Sequence, residues 1–490
     1  MPERDRTGTE LRPNSPVLIL GAGPAGLTAA YELGRQGWTA EVFEAAPVVG
    51  GLARTVEYRG YLFDLGGHRF YTKIAKIEAI WREVLGEDLL ERPRLSRIYY
   101  NHRFFRYPLE PLDALRGLGV WEAVRCAASY LKAVARPQHP EDDFETYICN
   151  RFGRRLFDRF FRSYTEKVWG LSCKEIRAEW AAQRIRGLSF AALLRNSFEF
   201  GVRQGRKTGI RTLTTHFLYP RRGPGMMWER MRAIVERQGS QVHLNAPVAR
   251  IFWEPGRVTG IEVAGRRLSA VHLISSLPVS AFCLGLDPPA PERVLRAARS
   301  LRYRDFLIAA LIVRRKEVFP DNWIYIHQPE VRVGRIQNFK NWSPEMVPDP
   351  DRTCLGMEYF CTQGDDLWSI PDAALVRFAA GECERLGIVP ASLVEDGAVV
   401  RVPKAYPVYD SNYAAALKEI RDFTATLKNL QFIGRNGMHR YNNQDHSMLS
   451  GILAADNVMG ASHDLWSVNT DSEYLEEFRE QPESSSAACV

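Results

Sequence analysis

Three glycines near the start of the chain stand at a spacing suited to binding phosphate groups. Gly21, Gly23 and Gly26 follow the apolar run 17–20 and precede a stretch whose apolar residues recur at helical spacing. A glycine turn between a buried strand and a helix lets the backbone approach a pyrophosphate, to which the helix N-terminus offers N–H groups. Glu44 ends the next apolar run, where a carboxylate can bind ribose hydroxyls and repel a 2′-phosphate. The spacing predicts a dinucleotide site that disfavours NADP.

A second glycine turn favours FAD over NAD. The segment 50–54 reads Gly-Gly-Leu-Ala-Arg, and NAD binding needs no such turn. It resembles the glycine-doublet motif of the flavin amine oxidase and glutathione reductase type superfamily, in which the doublet and the arginine wrap the second phosphate and ribityl side of FAD. The segments 242–248 and 430–435 resemble two further FAD motifs of that superfamily, in the same order. The three resemblances together imply FAD as the cofactor.

The middle of the chain resembles the UDP-galactopyranose mutases, a branch of the same superfamily. The segment 64–72 resembles the mutase segment that places a histidine, here His68, beside the flavin ring. The segment 160–176 is similar to the mutase helix that bears the active-site tryptophan, here Trp169. Arg335 stands in a segment that resembles a strand carrying a substrate arginine.

This resemblance implies a role for each matching position. Arg184 falls near the family's phosphate-binding arginine if one residue is inserted between it and the tryptophan. The catalytic residues implied are His68, Trp169, Arg184, Arg335 and Tyr441. The substrate contacts implied are Tyr164, His439, Arg440 and Asn442. The cofactor contacts predicted are Gly21, Gly23, Ala25, Gly26, Glu44, Ala45, Gly51, Leu52, Arg54, Gly67, His68, Val248, Gly434, Arg435, Gln444, Asp445 and Ser447.

One segment departs from the mutase pattern. Two mutase tyrosines that bind the substrate diphosphate correspond here to His439 and Asn442, whereas the tyrosine between them is kept as Tyr441. The flavin half of the site therefore matches the family and the substrate half differs, which leaves the sugar open. Just beyond, Asp445 precedes the apolar run 448–458, and its position predicts the N-cap of a helix that points its N–H groups at the flavin.

Two classes of reaction fit these residues. The resemblance implies a redox-neutral reaction on a phosphate-activated, nucleotide-linked sugar, with Arg184, Arg335 and Arg440 stabilising the charge of the phosphate. The alternative is a flavin oxidase or dehydrogenase, of the amine oxidase or protoporphyrinogen oxidase-like type, acting on a different small molecule. A flavoprotein subunit without chemistry of its own is a third interpretation. The arginines at mutase-matching positions favour the first class.

The order of the motifs predicts an α/β fold. We expect a Rossmann-like FAD-binding domain of glutathione reductase type, with an inserted helical domain and an inserted antiparallel β-sheet substrate domain. The predicted boundaries are 15–92, 218–286 and 404–461 for the three parts of the FAD-binding domain, 93–217 for the helical insertion, and 287–403 for the β-rich substrate domain. The ends 1–14 and 480–490 are expected to be disordered.

Charge and composition limit the kinds of binding partner that fit the chain. The 490 residues carry a net charge of +7, which is too small to indicate nucleic acid but fits an anionic substrate such as a nucleotide- or lipid-linked sugar. The segment 202–222 holds six basic residues and no acid. It fits a solvated face, a lid over phosphates or a peripheral contact with an anionic membrane.

The cysteines and the N-terminus bear on metals and location. The eight cysteines are scattered without CxxC pairs or zinc-ligand spacing, which predicts buried small hydrophobes and no metal site. The polar N-terminal residues lack the apolar core of a secretion signal, so a cytoplasmic location is expected.

Overall fold

The computed structural model describes residues 16–107, 119–178 and 216–469. In chain order, its strands are β1 (Val17–Leu20), β2 (Ala40–Phe43), β3 (Thr55–Tyr58), β4 (Tyr61–Asp64), β5 (Leu89–Pro93), β6 (Ser96–Tyr100), β7 (Arg103–Arg106), β8 (His216–Pro220), β9 (Gln241–His243), β10 (Val248–Glu254), β11 (Arg257–Val263), β12 (Arg266–Ser269), β13 (Leu273–Ser275), β14 (Leu286–Asp287), β15 (Tyr303–Val313), β16 (Trp323–Ile326), β17 (Arg335–Asn338), β18 (Thr353–Cys361), β19 (Val394–Pro407) and β20 (Leu430–Phe432). Its helices are α1 (Pro24–Arg35), α2 (Ala75–Leu85), α3 (Val120–Ala135), α4 (Phe144–Phe152), α5 (Arg154–Leu156), α6 (Arg162–Trp169), α7 (Gly225–Arg237), α8 (Val279–Leu284), α9 (Glu292–Ser300), α10 (Phe339–Trp342), α11 (Asp366–Ser369), α12 (Asp372–Arg385), α13 (Tyr413–Thr424), α14 (Gly434–Gly437) and α15 (Gln444–Val458).

A five-stranded parallel sheet, in the order β20-β13-β1-β2-β9, forms the centre of the fold. Its middle strand β1 is buried at all four positions, because helices pack on both faces. Val17 and Ile19 face the core formed with α1, α7 and α15, and Leu18 and Leu20 face the core formed with α8, α9 and α13. The carboxyl ends of β1, β2 and β20 therefore carry the glycine turns and Glu44, at the edge where such sheets bind ligands.

Two glycines allow α1 to pack tightly at this edge. A Cβ at Gly26 would lie 1.9 Å from the carbonyl oxygen of Gly21, so α1 could not approach the end of β1 with a larger residue there. A Cβ at Gly451 in α15 would lie 2.3 Å from the carbonyl oxygen of Ala25. The close contacts hold the first turn of α1 against the end of β1 and against the middle of α15.

A seven-stranded sheet, in the order β19-β15-β18-β17-β16-β6-β7, forms the second large unit. Its pairings are antiparallel except between β16 and β6. The strand β18 is buried throughout, and α12 covers one face of the sheet through Leu375, Ala379 and Cys383. Because β6 and β7 come from the region 93–217, part of the region predicted as a helical insertion is β-structure.

The remainder of that region is helical within the described residues. The helices α4 to α6, with a π-helical turn at Phe157–Phe161, enclose a core that includes Phe144, Ile148 and Trp169. Phe105 of β7 belongs to the same core, which attaches the helices to the seven-stranded sheet. A separate sheet of β12, β11, β10 and β14 lies beside the central sheet.

The segment 242–248, which resembles an FAD motif, spans two strands: β9 ends at His243, Asn245 adopts φ +51°, and β10 begins at Val248. The prediction that Asp445 is a helix N-cap is wrong, because α15 begins at Gln444 with Asn443 as its N-cap. The first turn of α15 is polar, so the apolar pattern starts one turn after the helix does. All seven cysteines within the described residues are buried, as predicted.

Candidate active site

The first two glycine turns meet at the end of β1. Gly21 adopts φ +98°, and a Cβ there would lie 2.3 Å from Oγ of Ser276, so the turn requires glycine. A Cβ at Gly51 would lie 3.3 Å from Cα of Gly23, which brings the two turns into contact. No side chain caps the N-terminus of α1. The turns therefore form a backbone-lined cradle with a helix N-terminus available to phosphates.

Glu44 lies beside this cradle, directly after β2. One of its carboxylate oxygens accepts a hydrogen bond from the N–H of Ala22 at 2.9 Å, and the other accepts one from Ala46 at 2.9 Å. The N–H of Ala246 donates to the carbonyl oxygen of Glu44 at 2.8 Å, which places the turn before β10 next to the acid. The carboxylate is thus fixed where an adenosine ribose would lie in a fold of this kind.

Other predicted cofactor contacts lie around the acid. Arg54 donates to the carbonyl oxygen of Gly51 at 3.3 Å, and burial lowers the pKa of its guanidinium while the charge of Glu44 opposes that shift. Ala45 is exposed, whereas Leu52 and Val248 are half-buried. The structure therefore brings Arg54 within electrostatic reach of Glu44.

The third glycine turn joins the same cradle. Gly434 adopts φ +74°, and a Cβ there would lie 3.1 Å from Cβ of Ala25 in α1. Its N–H donates to Oγ of Ser450 at 2.9 Å, and Ser450 in turn donates to the carbonyl oxygen of Ser447. The turn is thereby fastened to α15.

The start of α15 holds polar groups that suit a ligand. Its N-cap makes no side-chain hydrogen bond, and Oε1 of Gln444 is buried without a hydrogen-bond partner. Asp445 is buried, with Oδ1 accepting the N–H of His446 at 2.9 Å. A buried amide oxygen without a donor and an uncapped helix N-terminus fit a ligand that brings both hydrogen-bond donors and negative charge.

Arg335 marks a second, separate set of side chains. Its Nε lies 2.6 Å from Oε2 of Glu358 on the neighbouring strand β18, and this acid is fully buried. Glu358 also accepts a hydrogen bond from Gln337 at 2.6 Å, and Nη2 of Arg335 donates to the hydroxyl oxygen of Tyr406 at 3.2 Å. Burial acts to lower the pKa of Arg335, but the charge of Glu358 and neighbouring tyrosines raise it well above its usual value. The guanidinium therefore stays charged.

His68 lies close to this arginine. Burial lowers the pKa of His68 to about 3, with the charges of Arg435 and Arg335 adding to the effect. A Cβ at Gly66 would lie 3.6 Å from Oε1 of Glu358 and 3.9 Å from Cε1 of His68. The imidazole is neutral above pH 4, its Nδ1 has no hydrogen-bond partner, and Gly67 beside it is exposed.

Aromatic rings line one side of Arg335. Tyr164 of α6 stacks on His327 with 4.5 Å between ring centroids, and it meets Tyr325 edge-on at 5.9 Å. Burial raises the pKa of Tyr164 well above its usual value, whereas the charge of Arg335 lowers it. The hydroxyl of Tyr164 thus stays protonated within electrostatic reach of the guanidinium.

Tyr441 completes the set and connects it to the third glycine turn. Its ring stacks on Tyr406 at 5.6 Å, and the guanidinium of Arg435 lies 4.6 Å from its centroid. Nε of Arg435 also donates to the carbonyl oxygen of Asn442 at 2.9 Å. We call His68, Tyr164, Arg335, Tyr406 and Tyr441 the arginine–tyrosine cluster. Charged guanidinium and neutral hydroxyl donors of this kind bind phosphate or carboxylate groups.

Three predicted substrate contacts are not brought into this cluster. His439 is 1% exposed, its ring packs against Tyr303, and burial lowers its pKa to about 4. Asn442 is equally buried and donates to the carbonyl oxygen of Gly434 at 3.1 Å. Arg440 donates to the carbonyl oxygen of Trp466 at 2.7 Å. These side chains hold the turn that carries Tyr441.

Two further predicted catalytic residues are not among those placed in the cluster. Trp169 is buried in the helical core, with its ring 6.4 Å from that of Tyr406, so it packs beside one ring of the cluster. Arg184 lies outside the described residues. Most of the basic segment 202–222 lies outside them as well.

Four residues that belong to the cluster or support it were not predicted from the sequence: Glu358, Gln337, Tyr406 and His327. Glu358 left a signal, because it is the single acid in the apolar segment 353–361 that forms β18. The other three come together only through strand pairing and helix packing, which no local pattern reports.

The chain is similar in sequence to known proteins. The family described as flavin containing amine oxidoreductase matches residues 24–459. A phytoene desaturase (neurosporene-forming) from Cereibacter sphaeroides is 25% identical over 53% of this chain and 52% of its own length. The chain spans about half the length of the curated relatives it matches.

Solved structures show the same fold. A reduced UDP-galactopyranose mutase superposes with a TM-score of 0.80 and 21% identity, over 93% of this chain and 97% of that one. A protein assigned provisionally as protoporphyrinogen oxidase, from Exiguobacterium, superposes with a TM-score of 0.71 and 18% identity, over 91% of this chain and 98% of that one.

The match over residues 24–459 shows that the chain belongs to the flavin-containing amine oxidoreductase family, a family of flavoenzymes. The recognition of this superfamily from the sequence is thereby confirmed. In the parts of the chain that the structure describes, no helix combines the length and apolar character needed to cross a bilayer, and no group of three or more His, Cys, Asp or Glu side chains is placed to hold a metal ion.

Proposed function

We propose that this protein is an FAD-dependent enzyme of the UDP-galactopyranose mutase type, acting without net redox change on a phosphate-activated, nucleotide-linked sugar. The observation that carries the proposal is the largely enclosed Arg335, whose side chain is 19% exposed. It is held by Glu358, donates to the hydroxyl of Tyr406, and lies within electrostatic reach of His68, which Arg435 of the third glycine turn also influences. An oxidase acting on an apolar substrate has no use for an enclosed cation of this kind.

The residues present fit FAD. The cradle of Gly21, Gly23 and Gly51 suits its two phosphates, and Glu44 suits the adenosine ribose. Gly434 and the start of α15, with the unpartnered amide oxygen of Gln444, suit the flavin end. When bound and reduced, FAD would supply an electron-rich ring that can act as a nucleophile toward the sugar, so that the reaction needs reduced flavin but consumes no reductant.

The arginine–tyrosine cluster supplies anion binding. Glu358 takes Nε of Arg335, which orients the planar guanidinium and leaves its Nη groups for Tyr406 and a substrate. A preorganised arginine of this kind can pair with two phosphate oxygens at once and stabilise the charge that builds up as a phosphate departs. Tyr164 remains a protonated donor within electrostatic reach of it, and Tyr441 stacks on Tyr406 beside it. These contacts support a diphosphate-bearing substrate.

The protein reconstituted with FAD tests the proposal directly. We would reduce the bound flavin with dithionite and remove the excess dithionite. We would then add UDP-galactopyranose or other UDP- and dTDP-sugars and separate the products by chromatography. The proposal predicts an isomerised sugar nucleotide, many turnovers per reduction and no oxygen uptake. Oxygen uptake or peroxide formation in step with substrate loss supports the oxidase or dehydrogenase alternative and contradicts the proposal.

A further inference from the structure

The helix α3 exposes a row of large apolar side chains. Trp121 is 83% exposed, Leu131 65%, Val124 55% and Val134 54%. Their spacing of three, seven and three residues places them on one face of the helix. Single exposed apolar residues are ordinary on protein surfaces, but four on one helical face form a patch.

The opposite face of α3 is fastened to the helical unit. Cys126 is buried, and Oγ of Ser129 accepts the N–H of Arg155 at 3.1 Å. A Cβ at Gly153 would lie 2.6 Å from the backbone nitrogen of Tyr130, so the two backbones are in contact. The helix therefore cannot turn its apolar row inward without breaking these contacts.

Basic side chains border the apolar row. Arg125 and Lys132 are exposed on the adjoining part of the helix surface, and Arg136 is exposed directly after the last residue of the helix. Glu122 is the only acid in the segment 120–136, and Arg155 holds one of its oxygens at 2.6 Å. The exposed part of the helix is thus apolar in the middle and positively charged along one side.

We propose that this face of α3, which we call the α3 surface, docks the protein onto an anionic lipid bilayer. A tryptophan and aliphatic residues flanked by lysine and arginine are what a helix lying in the membrane interface needs: the apolar row enters the headgroup boundary and the cations meet anionic lipid. A protein partner fits less well, because a stable protein interface buries about 800 Å² and 20–30 residues a side.

The position of α3 gives the docking a consequence. Arg155, which holds α3, belongs to the same helical unit as Tyr164 of α6. Binding through the α3 surface would therefore keep the arginine–tyrosine cluster near the bilayer. The proposal does not depend on the reaction class, because it concerns a surface outside the cluster.

Sedimentation with vesicles tests the proposal on the full-length, flavin-loaded protein. We expect binding to vesicles of phosphatidylcholine with about one-third phosphatidylglycerol, weaker binding to pure phosphatidylcholine, and weaker binding at high salt. The triple variant R125Q/K132Q/R136Q should lose about fivefold in affinity per charge removed. The variant W121S/L131S should lose tenfold or more. L284S, which changes a residue that is 47% exposed on another helix, is the matched control and should bind like the wild type.

A second measurement separates docking from misfolding. Brominated phosphatidylcholine in the anionic vesicles should quench part of the tryptophan fluorescence of the wild type, and that part should be missing in W121F, which keeps an apolar ring. No binding of the wild type to anionic vesicles would overturn the proposal. Unchanged binding of both surface variants would overturn it too. So would a wild type that forms a dimer which W121S/L131S loses, with no vesicle binding by either protein.

Discussion

The two halves of the site are held in different ways. The cradle for the cofactor is built from backbone: three glycine turns meet because Gly21, Gly51 and Gly434 have no side chain to keep them apart. The arginine–tyrosine cluster is built from side chains on β17, β19, α6 and two loops, and the ion pair of Arg335 with the buried Glu358 of β18 holds it. The cradle therefore depends on shape, whereas the cluster depends on charge balance, and substitutions should damage them differently.

The largest effect is expected from removing the acid that balances Arg335. Glu358→Gln would leave a buried guanidinium without its counter-charge, which costs about 3–5 kcal/mol of the free energy of unfolding. Urea denaturation measures it. Glu395→Gln is the control, since Glu395 pairs with Arg352 at the surface and its loss should cost less than about 1 kcal/mol. Equal small losses in both variants would contradict a cluster held by charge.

Asp64, at the end of β4, should make stability depend on pH. Burial raises its pKa from 3.8 to about 7, although hydrogen bonds from Tyr219 and Thr55 oppose the shift. The folded protein then holds a proton that the unfolded chain has lost, so this stabilisation is complete below pH 4 and disappears as pH rises to about 7. Three pKa units correspond to up to about 4 kcal/mol.

Comparison with Asp64→Asn isolates this contribution, because asparagine does not titrate. Between pH 5 and pH 8, the wild type should lose free energy of unfolding relative to the variant. A difference between the two proteins that stays constant over this range would show that Asp64 is ionised in the folded state.

Gly26→Ala tests the shape of the cradle. The added methyl would meet the carbonyl oxygen of Gly21, so α1 must move away from β1, at a cost of about 3 kcal/mol and with loss of flavin. Gly381→Ala in α12 is the matched control, because nothing lies within 4 Å of a Cβ there and alanine favours helix by about 0.5–1 kcal/mol. The melting temperature should fall in Gly26→Ala and rise slightly in Gly381→Ala, and flavin absorbance should fall only in Gly26→Ala. A stable, yellow Gly26→Ala protein would refute the tight packing.

Glu44→Ala is expected to have the smallest effect. Loss of the carboxylate leaves the N–H groups of Ala22 and Ala46, and the ribose, without their acceptor. FAD affinity should fall by about 1–3 kcal/mol with little change in fold. Dialysis followed by measurement of the remaining flavin tests this expectation. Undiminished retention of flavin would show that Glu44 does not contribute to cofactor binding.

The cradle could be predicted because its signals are local. Each signal reports one turn or one strand end: the spacing of Gly21, Gly23 and Gly26, the apolar run 17–20 before them, and Glu44 after them. Four members of the cluster, His68, Tyr164, Arg335 and Tyr441, were assigned through the family resemblance. Tyr406 and the supporting acid Glu358 were not, since they stand on β19 and β18, whose pairing is set by long-range contacts. His439 and Asn442 were matched by position alone, and the turn at 438–443 buries both. Asp445 was misread because the helix begins a turn before its apolar pattern.

Titration of UDP into the flavin-loaded protein tests the central claim, an anion site at Arg335 beside the flavin. We expect the wild type to bind UDP. Arg335→Lys should bind UDP at least tenfold more weakly, because lysine cannot pair with two phosphate oxygens, and its flavin spectrum should be unchanged. Arg97→Lys, which alters the ion pair of Arg97 with the buried Asp321 on the same sheet, should bind UDP like the wild type. Absence of UDP binding to the wild type, or equal binding by Arg335→Lys, would contradict the account.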